Sequence, residues 1–187
     1  MRSFILFLAA CALIVSCGNP SGLRAGFPNK PDTVSLYALT RTPVSLPSGY
    51  SIKDLQRIRT ESGSSFDFAF DIDSTGQPVL LPTGPLKLGQ QSGIQTSAQN
   101  FDSIKFAPTS GYNVDSAQVV HEDSVLILMT RATLCQSIVG FVAPYYAKLH
   151  VLAIDTTSTP NGRRIDFVIL SDLNCGFRGL EEGLPHQ

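Results

Sequence analysis

The sequence predicts an all-β fold, namely a single antiparallel β-sandwich or barrel-like domain with at most one short helix. Short apolar segments with period-two alternation recur along the chain. Glycine and proline turn residues separate these segments and interrupt any longer helical pattern. Residues 52–58 are the exception, because Ile52, Leu55 and Ile58 recur three apart and predict one or two turns of helix.

Residues 66–73 form the clearest predicted strand. Their sequence, Phe-Asp-Phe-Ala-Phe-Asp-Ile-Asp, alternates apolar and mostly acidic side chains. A strict period of two predicts that the aromatic face is buried and the acidic face is exposed to water. The Ser-Thr-Gly sequence at 74–76 then predicts a turn, and residues 79–81 return as the second strand of a hairpin.

The remaining strands are shorter, and turn residues define their ends. Asn161-Gly162 predicts a type I′ turn that joins the last two strands as an antiparallel pair. The Gln- and Ser-rich residues 89–100 are expected to form a loop. The further predicted strands are residues 34–39, 86–88, 104–106, 117–120, 125–130, 147–154 and 165–170.

The N-terminus has the layout of an export signal. Arg2 precedes an apolar run over residues 4–15, which is shorter than the ~20 residues of a membrane-spanning helix. Residues 14–17, Ile-Val-Ser-Cys, resemble the lipobox of bacterial lipoproteins. The resemblance implies cleavage before Cys17, a diacylglyceryl thioether on its sulfur and acylation with fatty acids such as palmitate. The alternative is an ordinary secretory signal with an incidental cysteine.

This resemblance divides the chain into three parts. Residues 1–16 are the expected lipoprotein signal peptide, residues 17–32 a lipidated flexible tether rich in proline and glycine, and residues 33–187 a β-rich globular domain. Gly18 follows the cysteine, where lipoproteins retained at the inner membrane often carry aspartate. We therefore expect a protein that is lipid-anchored to the cell envelope, at the outer membrane if the host is Gram-negative, facing the periplasm or the surface.

The charge balance argues against one class of partner. Of 14 basic residues, removal of Arg2 with the signal leaves 13 against 15 acidic ones, a formal charge of −2. A nucleic-acid-binding domain would need a basic patch or stripe, so nucleic acid is not an expected partner. The expected partners are the membrane, through the N-terminal lipid, and another envelope protein or a small ligand.

The cysteines are consistent with an oxidising compartment. Cys11 leaves with the signal and Cys17 takes the lipid, so Cys135 and Cys175 remain. Outside the cytoplasm such a pair predicts a disulfide, which would clamp the irregular C-terminal segment 174–185 to the sheet. A catalytic thiol and a metal-binding pair are the weaker alternatives, since neither a CxxC nor an HxxH spacing accompanies the cysteines.

Catalytic signatures are absent from the sequence. It contains no GxSxG, P-loop, HExxH, SxxK or GxGxxG motif, and no cofactor is expected. Residues 71–76 mimic the first half of a calcium loop, but the second half fails, which favours a hairpin turn whose Asp73 bonds backbone amides. His150, Asp155 and Ser137 are one set that could assemble a hydrolytic site in space.

Four aromatic residues, Tyr112, Phe141, Tyr145 and Tyr146, are candidates for a binding surface. The alternative for these rings is core and corner packing. The sequence therefore predicts a membrane-anchored envelope lipoprotein with a binding or structural role. An extracytoplasmic hydrolase with a spatially assembled Ser/His/Asp-type site is the alternative.

Overall fold

The prediction of an all-β sandwich is confirmed. A computed structural model describes residues 24–89, 91–135, 140–159 and 162–186. Within these ranges two five-stranded antiparallel sheets pack against each other without closing into a barrel, and the one helical element is a short 3₁₀ turn, Phe101–Ser103. No helix in the described ranges has the length and apolarity needed to cross a membrane.

Twelve strands make up the fold in those ranges. They are β1 Pro31–Tyr37, β2 Gly49–Ser51, β3 Gln56–Ile58, β4 Phe68–Ile72, β5 Pro78–Pro82, β6 Gly93–Ser97, β7 Gln118–Val119, β8 Val125–Met129, β9 Thr133–Leu134, β10 Val142–Ala143, β11 Tyr146–Asp155 and β12 Arg164–Asp172.

The strands form two sheets and a separate hairpin. Sheet I has the order β1-β12-β11-β8-β6, and sheet II has the order β3-β2-β4-β5-β7. The predicted antiparallel pairing of the last two strands, β11 and β12, is confirmed, with a bulge between Val151 and Ala153. Strands β9 and β10 form the two-stranded hairpin, which continues the β8–β11 pair past the end of sheet I.

The main core lies between the two sheets. Alternate residues of β11 and β12, such as Leu149 and Phe167, point towards sheet II and are fully buried. The ring of Phe167 meets the rings of Tyr50 at 6.2 Å and Phe68 at 6.0 Å. Phe68 belongs to the predicted aromatic face of residues 66–73, and the burial of that face is confirmed.

Sheet I is covered on its outer face as well. Two segments, residues 104–107 and 178–180, pair through backbone bonds from Ala107 N to Arg178 O at 2.8 Å and from Leu180 N to Lys105 O at 2.7 Å. Together they form a cover over part of that face. The apolar side chains of this second core are Ile104, Ala107 and Leu180 from the cover and Ile127, Tyr146 and Leu170 from the sheet.

The predicted disulfide is confirmed. Cys135 follows β9 and Cys175 follows β12, and their Cα atoms are 5.6 Å apart across the bond. The bridge ties the C-terminal segment to the separate β9–β10 hairpin, whereas the sequence predicted a clamp to the sheet. Within the described part of 174–185, this segment also contributes Leu180 to the cover.

The helix predicted over residues 52–58 is wrong. Those residues form the turn and second strand of the β2–β3 hairpin, and Leu55 adopts a φ of 52° in the turn. Ile52 is fully buried whereas Leu55 is exposed, so the three-residue spacing did not mark one apolar helical face. Strand pairing to β4 determines the local structure here.

Two other strand assignments need correction. Residues 86–88 form a turn rather than a strand, with Lys87 N donating to Gly84 O at 2.9 Å. Residues 104–106 make an isolated bridge, between Phe106 and Gly179, instead of a strand. Conversely, the predicted loop 89–100 contains β6 as an edge strand of sheet I, because polar side chains are tolerated where one strand face meets water.

The acidic face of residues 66–73 is not uniformly exposed. Asp67 is buried, and its Oδ2 accepts the Ile52 amide at 2.8 Å. Burial raises the pKa of Asp67 to about 6, although that hydrogen bond and the charge of Arg131 oppose the shift. The hydrogen bond from the Ile52 amide allows the Asp67 carboxylate to be buried, although the alternation pattern predicted that this side chain is exposed to water.

Candidate functional site

A groove of about 660 Å³ opens on the outer face of sheet I, where the cover ends. Its floor is a row of side chains directly opposite one another on three adjacent strands: Val125 of β8, His150 of β11 and Val168 of β12. Because paired residues in antiparallel strands project from the same face, this row forms a continuous surface. The cavity volume falls within the range of small-ligand sites.

The wall of the groove is Phe101, and a buried lysine holds it in place. Lys148 lies two residues before His150 on the same strand face, and its Nζ donates to Phe101 O at 2.8 Å and Ile104 O at 3.1 Å. The ammonium also lies 4.5 Å from the centre of the Phe101 ring. Desolvation lowers the pKa of Lys148, and nearby carboxylates, Asp102 first among them, oppose that shift.

Acidic side chains dominate the rim of the groove. Asp102, Asp123 and Glu182 all line it, and Asp123 Oδ1 lies 3.5 Å from Nε2 of His150. Phe101 packs beside the imidazole, with ring centroids 6.3 Å apart. Carboxylates beside an aromatic face favour a cationic group, since each attracts positive charge. The groove is therefore suited to an amine- or guanidine-bearing ligand.

The structure does not bring His150 and Asp155 together. Both lie on β11, five residues apart, which separates them by about 16 Å along the strand. Asp155 accepts the Thr157 amide at 2.8 Å, while the carboxylate that lies beside His150 is that of Asp123. Ser137, the third member of the predicted set, lies outside the described residues.

The calcium-like segment 71–76 comprises the end of β4 and the hairpin turn that the sequence predicted. Oδ1 of Asp73 accepts the backbone amides of Thr75 and Gln77, both at 2.8 Å, and the Thr75 hydroxyl at 2.7 Å. These bonds, the Thr75 hydroxyl first, lower the pKa of Asp73. In the described part of the chain, no cluster of three or more His, Cys, Asp or Glu side chains is placed to hold a metal ion.

The four candidate aromatic residues are divided between three places. Tyr145 and Tyr146 are adjacent, so they point to opposite sides: Tyr145 into the core between the sheets and Tyr146 under the cover. Tyr146 packs against Tyr112 at a ring separation of 6.2 Å. Phe141 lies apart, on the β9–β10 hairpin against Gly176. The structure thus unites one pair of rings and not all four.

The groove residues Phe101, Asp102, Asp123 and Glu182 escaped sequence reasoning because they come from separate loops. One signal was available in β11, where Lys148 interrupts an apolar strand and shares a face with His150. A lysine on the apolar stretch of a strand indicates a buried polar anchor. The partners of such an anchor are visible only in the folded chain.

A second polar cluster fixes the start of the described chain. Oδ1 of Asn174 accepts the amides of Gly26 and Phe27 at 2.7 and 2.9 Å, and its Nδ2 donates to Phe27 O and to Asp172 Oδ1. Further along, the backbones of Asn29 and Gly183 pair. Residues 26–32, which composition assigned to the tether, therefore contact the C-terminal segment and lead directly into β1.

Asp172 is the buried charge of this cluster. It has no exposed surface, and burial raises its pKa to about 6 despite two hydrogen bonds from Asn174. Its Oδ1 accepts both of these bonds. The cluster lies one residue from Cys175, so the N-terminal segment, the disulfide and the β9–β10 hairpin meet at one end of the sandwich.

Comparison with known protein families and with curated proteins finds no match for this chain. Function must therefore be argued from the groove, the disulfide and the N-terminal sequence.

Proposed function

We propose that the protein is a lipid-anchored envelope protein whose β-sandwich binds a cationic group of a ligand or partner in the groove over His150. The disulfide Cys135–Cys175 is the observation that carries the proposal. Stable structural disulfides form in extracytoplasmic compartments, and that is where the lipobox-like residues 14–17 would deliver the chain.

The position of the N-terminal segment supports anchoring. Asn174 holds Gly26 and Phe27 at one end of the sandwich, so the lipid-bearing Cys17 would connect to that end alone. The signal segment and Cys17 lie outside the described residues. Acyl chains on one cysteine would hold the domain at the membrane, because each buried methylene contributes ~0.8 kcal/mol.

The groove supports the binding part of the proposal. Three carboxylates and an aromatic wall surround a half-exposed imidazole, and Lys148 is engaged by two backbone carbonyls below them. An unprotonated imidazole can accept a hydrogen bond from an incoming ammonium, while the carboxylates supply charge. A lysine or arginine side chain of an envelope partner, or a small amine, fits this chemistry.

The anchoring part is tested by metabolic labelling with an alkyne fatty acid. We expect the unsubstituted protein and the Cys11→Ala control to incorporate label, and the Cys17→Ala variant to incorporate none, because Cys17 is the acceptor sulfur. Cys11 is the matched control since it lies in the signal. Label that persists in Cys17→Ala, or its absence from the unsubstituted chain, would overturn the lipid anchor.

The binding part is tested by following the His150 imidazole resonances by NMR during titration with trilysine. We expect chemical shift changes at His150 that saturate with trilysine. In Asp123→Asn, which removes the carboxylate beside the imidazole, we expect the affinity derived from them to fall about tenfold. Glu61→Asn is the control, because that exposed residue pairs with Arg59 outside the groove. Equal shifts with triglutamate, or no shift with either peptide, would contradict cation binding.

A further inference from the structure

The β9–β10 hairpin exposes three apolar side chains that lie close together. Leu134 is 65% exposed and Val142 is 53% exposed, and the two residues are direct partners across the hairpin. Phe141 lies next to Val142 and remains 38% exposed. A cluster of exposed apolar groups on a projecting element is typical of a protein or membrane contact site.

The described residues of the hairpin are held in place by a disulfide and a backbone hydrogen bond. The disulfide at Cys135 fixes one strand, and Cys135 N donates to Phe141 O at 2.8 Å. Gly176, with a φ of 83°, lies directly under the Phe141 ring, where an added Cβ would come within 3.0 Å of Cε1. Because the two strands are already ordered, contact with a membrane or a protein would cost little additional conformational entropy.

The chain leaves the domain at the same end. Asn174, which binds the amides of Gly26 and Phe27, is the neighbour of Cys175, and Cys175 is bonded to the residue after Leu134. The nine residue steps from Cys17 to Gly26 reach at most about 30 Å when fully extended. A lipid on Cys17 would therefore keep this end of the sandwich close to the bilayer. Phe27, 60% exposed, adds a fourth apolar side chain there.

We propose that Leu134, Phe141 and Val142 insert into the headgroup–acyl boundary of the membrane that carries the lipid anchor. This inference rests on the proposed function, since it needs the anchor at Cys17. The occupant is the lipid surface, because the short connection favours the bilayer over a distant partner. Apolar faces of interfacial helices lie about 5–10 Å deep in this boundary, and we expect a similar depth for these side chains. The hairpin would orient the domain as well as tether it.

The experiment uses a single tryptophan as a depth reporter, because the chain contains none. The full lipidated protein carrying Phe141→Trp is reconstituted into phosphatidylethanolamine–phosphatidylglycerol vesicles with brominated acyl chains. We expect its indole emission to shift to the blue and to lose about half or more of its intensity, as for a side chain 5–10 Å deep. If this variant fails to form the disulfide, Leu134→Trp makes the same measurement.

The matched control is Val44→Trp, in the exposed loop after β1 at the opposite end of that strand. It has the same anchor but lies about 20 Å or more from the hairpin end, so its emission should not change. Equal quenching of both variants, or quenching of neither while the protein floats with the vesicles, would overturn the inference. A blue shift without quenching, from a covering protein or a second copy, would also overturn it. Failure to float contradicts the lipid anchor instead.

Discussion

The two faces of sheet I are buried in different ways. The inner face packs against sheet II through side chains that alternate regularly along β11 and β12, such as Leu149 and Phe167. The outer face lies under irregular segments that are fixed by polar groups, such as Lys148 and Asp172. The inner face is held by a large apolar core, whereas the outer face combines a smaller apolar core with a few specific hydrogen bonds.

This difference has a functional consequence. An apolar core between two sheets opens only when the whole domain unfolds, whereas a cover on a few polar anchors can open locally. The groove lies on the outer side of sheet I, and the N-terminal segment is bound through Asn174 at one end of the sandwich. The cover beside the groove, which would meet a ligand, is thus a part of the molecule that can open without the core.

The largest effect is expected from the inner face. Phe167→Ala removes a fully buried ring that contacts Tyr50 and Phe68, and should lower the free energy of unfolding by up to about 5 kcal/mol. Val168→Ala is the control, because that side chain faces the groove. Urea denaturation of the oxidised protein measures both. Equal losses in the two variants would contradict the asymmetry between the faces.

Removal of the disulfide should have a slightly smaller effect. In the chain-entropy model, a bridge with a sequence separation of 40 stabilises the native state by about 4 kcal/mol. The double variant Cys135→Ser/Cys175→Ser should show this loss in urea denaturation. Its amide hydrogen exchange should accelerate first in residues 133–135 and 141–143 and at the C-terminal segment. Exchange in β11 and β12 should also accelerate because the global stability falls, and acceleration there that equals that of the hairpin would argue against local opening.

Asp172 makes the stability depend on pH. The pKa of Asp172 is 3.8 in the unfolded chain and is raised to about 6 in the folded state. Protonation of this carboxyl therefore stabilises the fold fully at pH values below 3.8. That contribution is lost as the pH rises from below 3.8 to above 6, and its full size is about 3 kcal/mol. Asp172→Asn should remove this part of the decrease while it keeps an oxygen for Asn174.

Stability measured at several pH values checks this prediction, and Asp115→Asn, an exposed site, is the control. Asp67, whose pKa is also raised to about 6, remains in the Asp172→Asn variant and should retain a decrease in the same direction. An unchanged pH profile in Asp172→Asn would show that this carboxylate does not destabilise the folded protein at neutral pH.

The smallest effect is expected at Lys148. Lys148→Met keeps the volume of the stem but leaves Phe101 O and Ile104 O without their donor, at a cost of about 2 kcal/mol. The loss should appear in urea denaturation, and hydrogen exchange should accelerate more around residues 101–107 than in β12, where only the lower global stability acts. Lys105→Met, which removes an exposed pair with Glu181, should change little. An acceleration in β12 as large as that around residues 101–107 would contradict local anchoring.

The sequence predicted the inner face well and the outer face poorly. Period-two alternation identified the strand around Phe68 and the final pair, because burial on one side of a sheet leaves that pattern. The cysteine count predicted the bridge. Polar β6 escaped detection, since alternation of apolar residues does not mark an edge strand whose side chains are mostly Gln, Thr and Ser.

The candidate site was less predictable still. His150 was identified as a histidine of interest, but its neighbours Phe101, Asp123 and Glu182 come from segments far apart in the chain. Tyr145 and Tyr146 were grouped by adjacency, although adjacent residues of a strand face opposite sides. The groove depends on contacts between segments that are distant in sequence, and the positions of the tyrosines depend on which face of the strand each side chain occupies. Local spacing of residues does not reveal the groove contacts or which face is buried.

The most direct measurement for the anchored, exported state is the intact mass of protein extracted from the membranes of the source cells. One spectrum reports the N-terminus, the acyl groups and the oxidation state of the thiols. We predict a chain that starts at Cys17, carries diacylglycerol and lacks the two hydrogen atoms that reduced Cys135 and Cys175 would retain. A chain that still contains residues 1–16, without lipid and with both thiols free, would contradict the account.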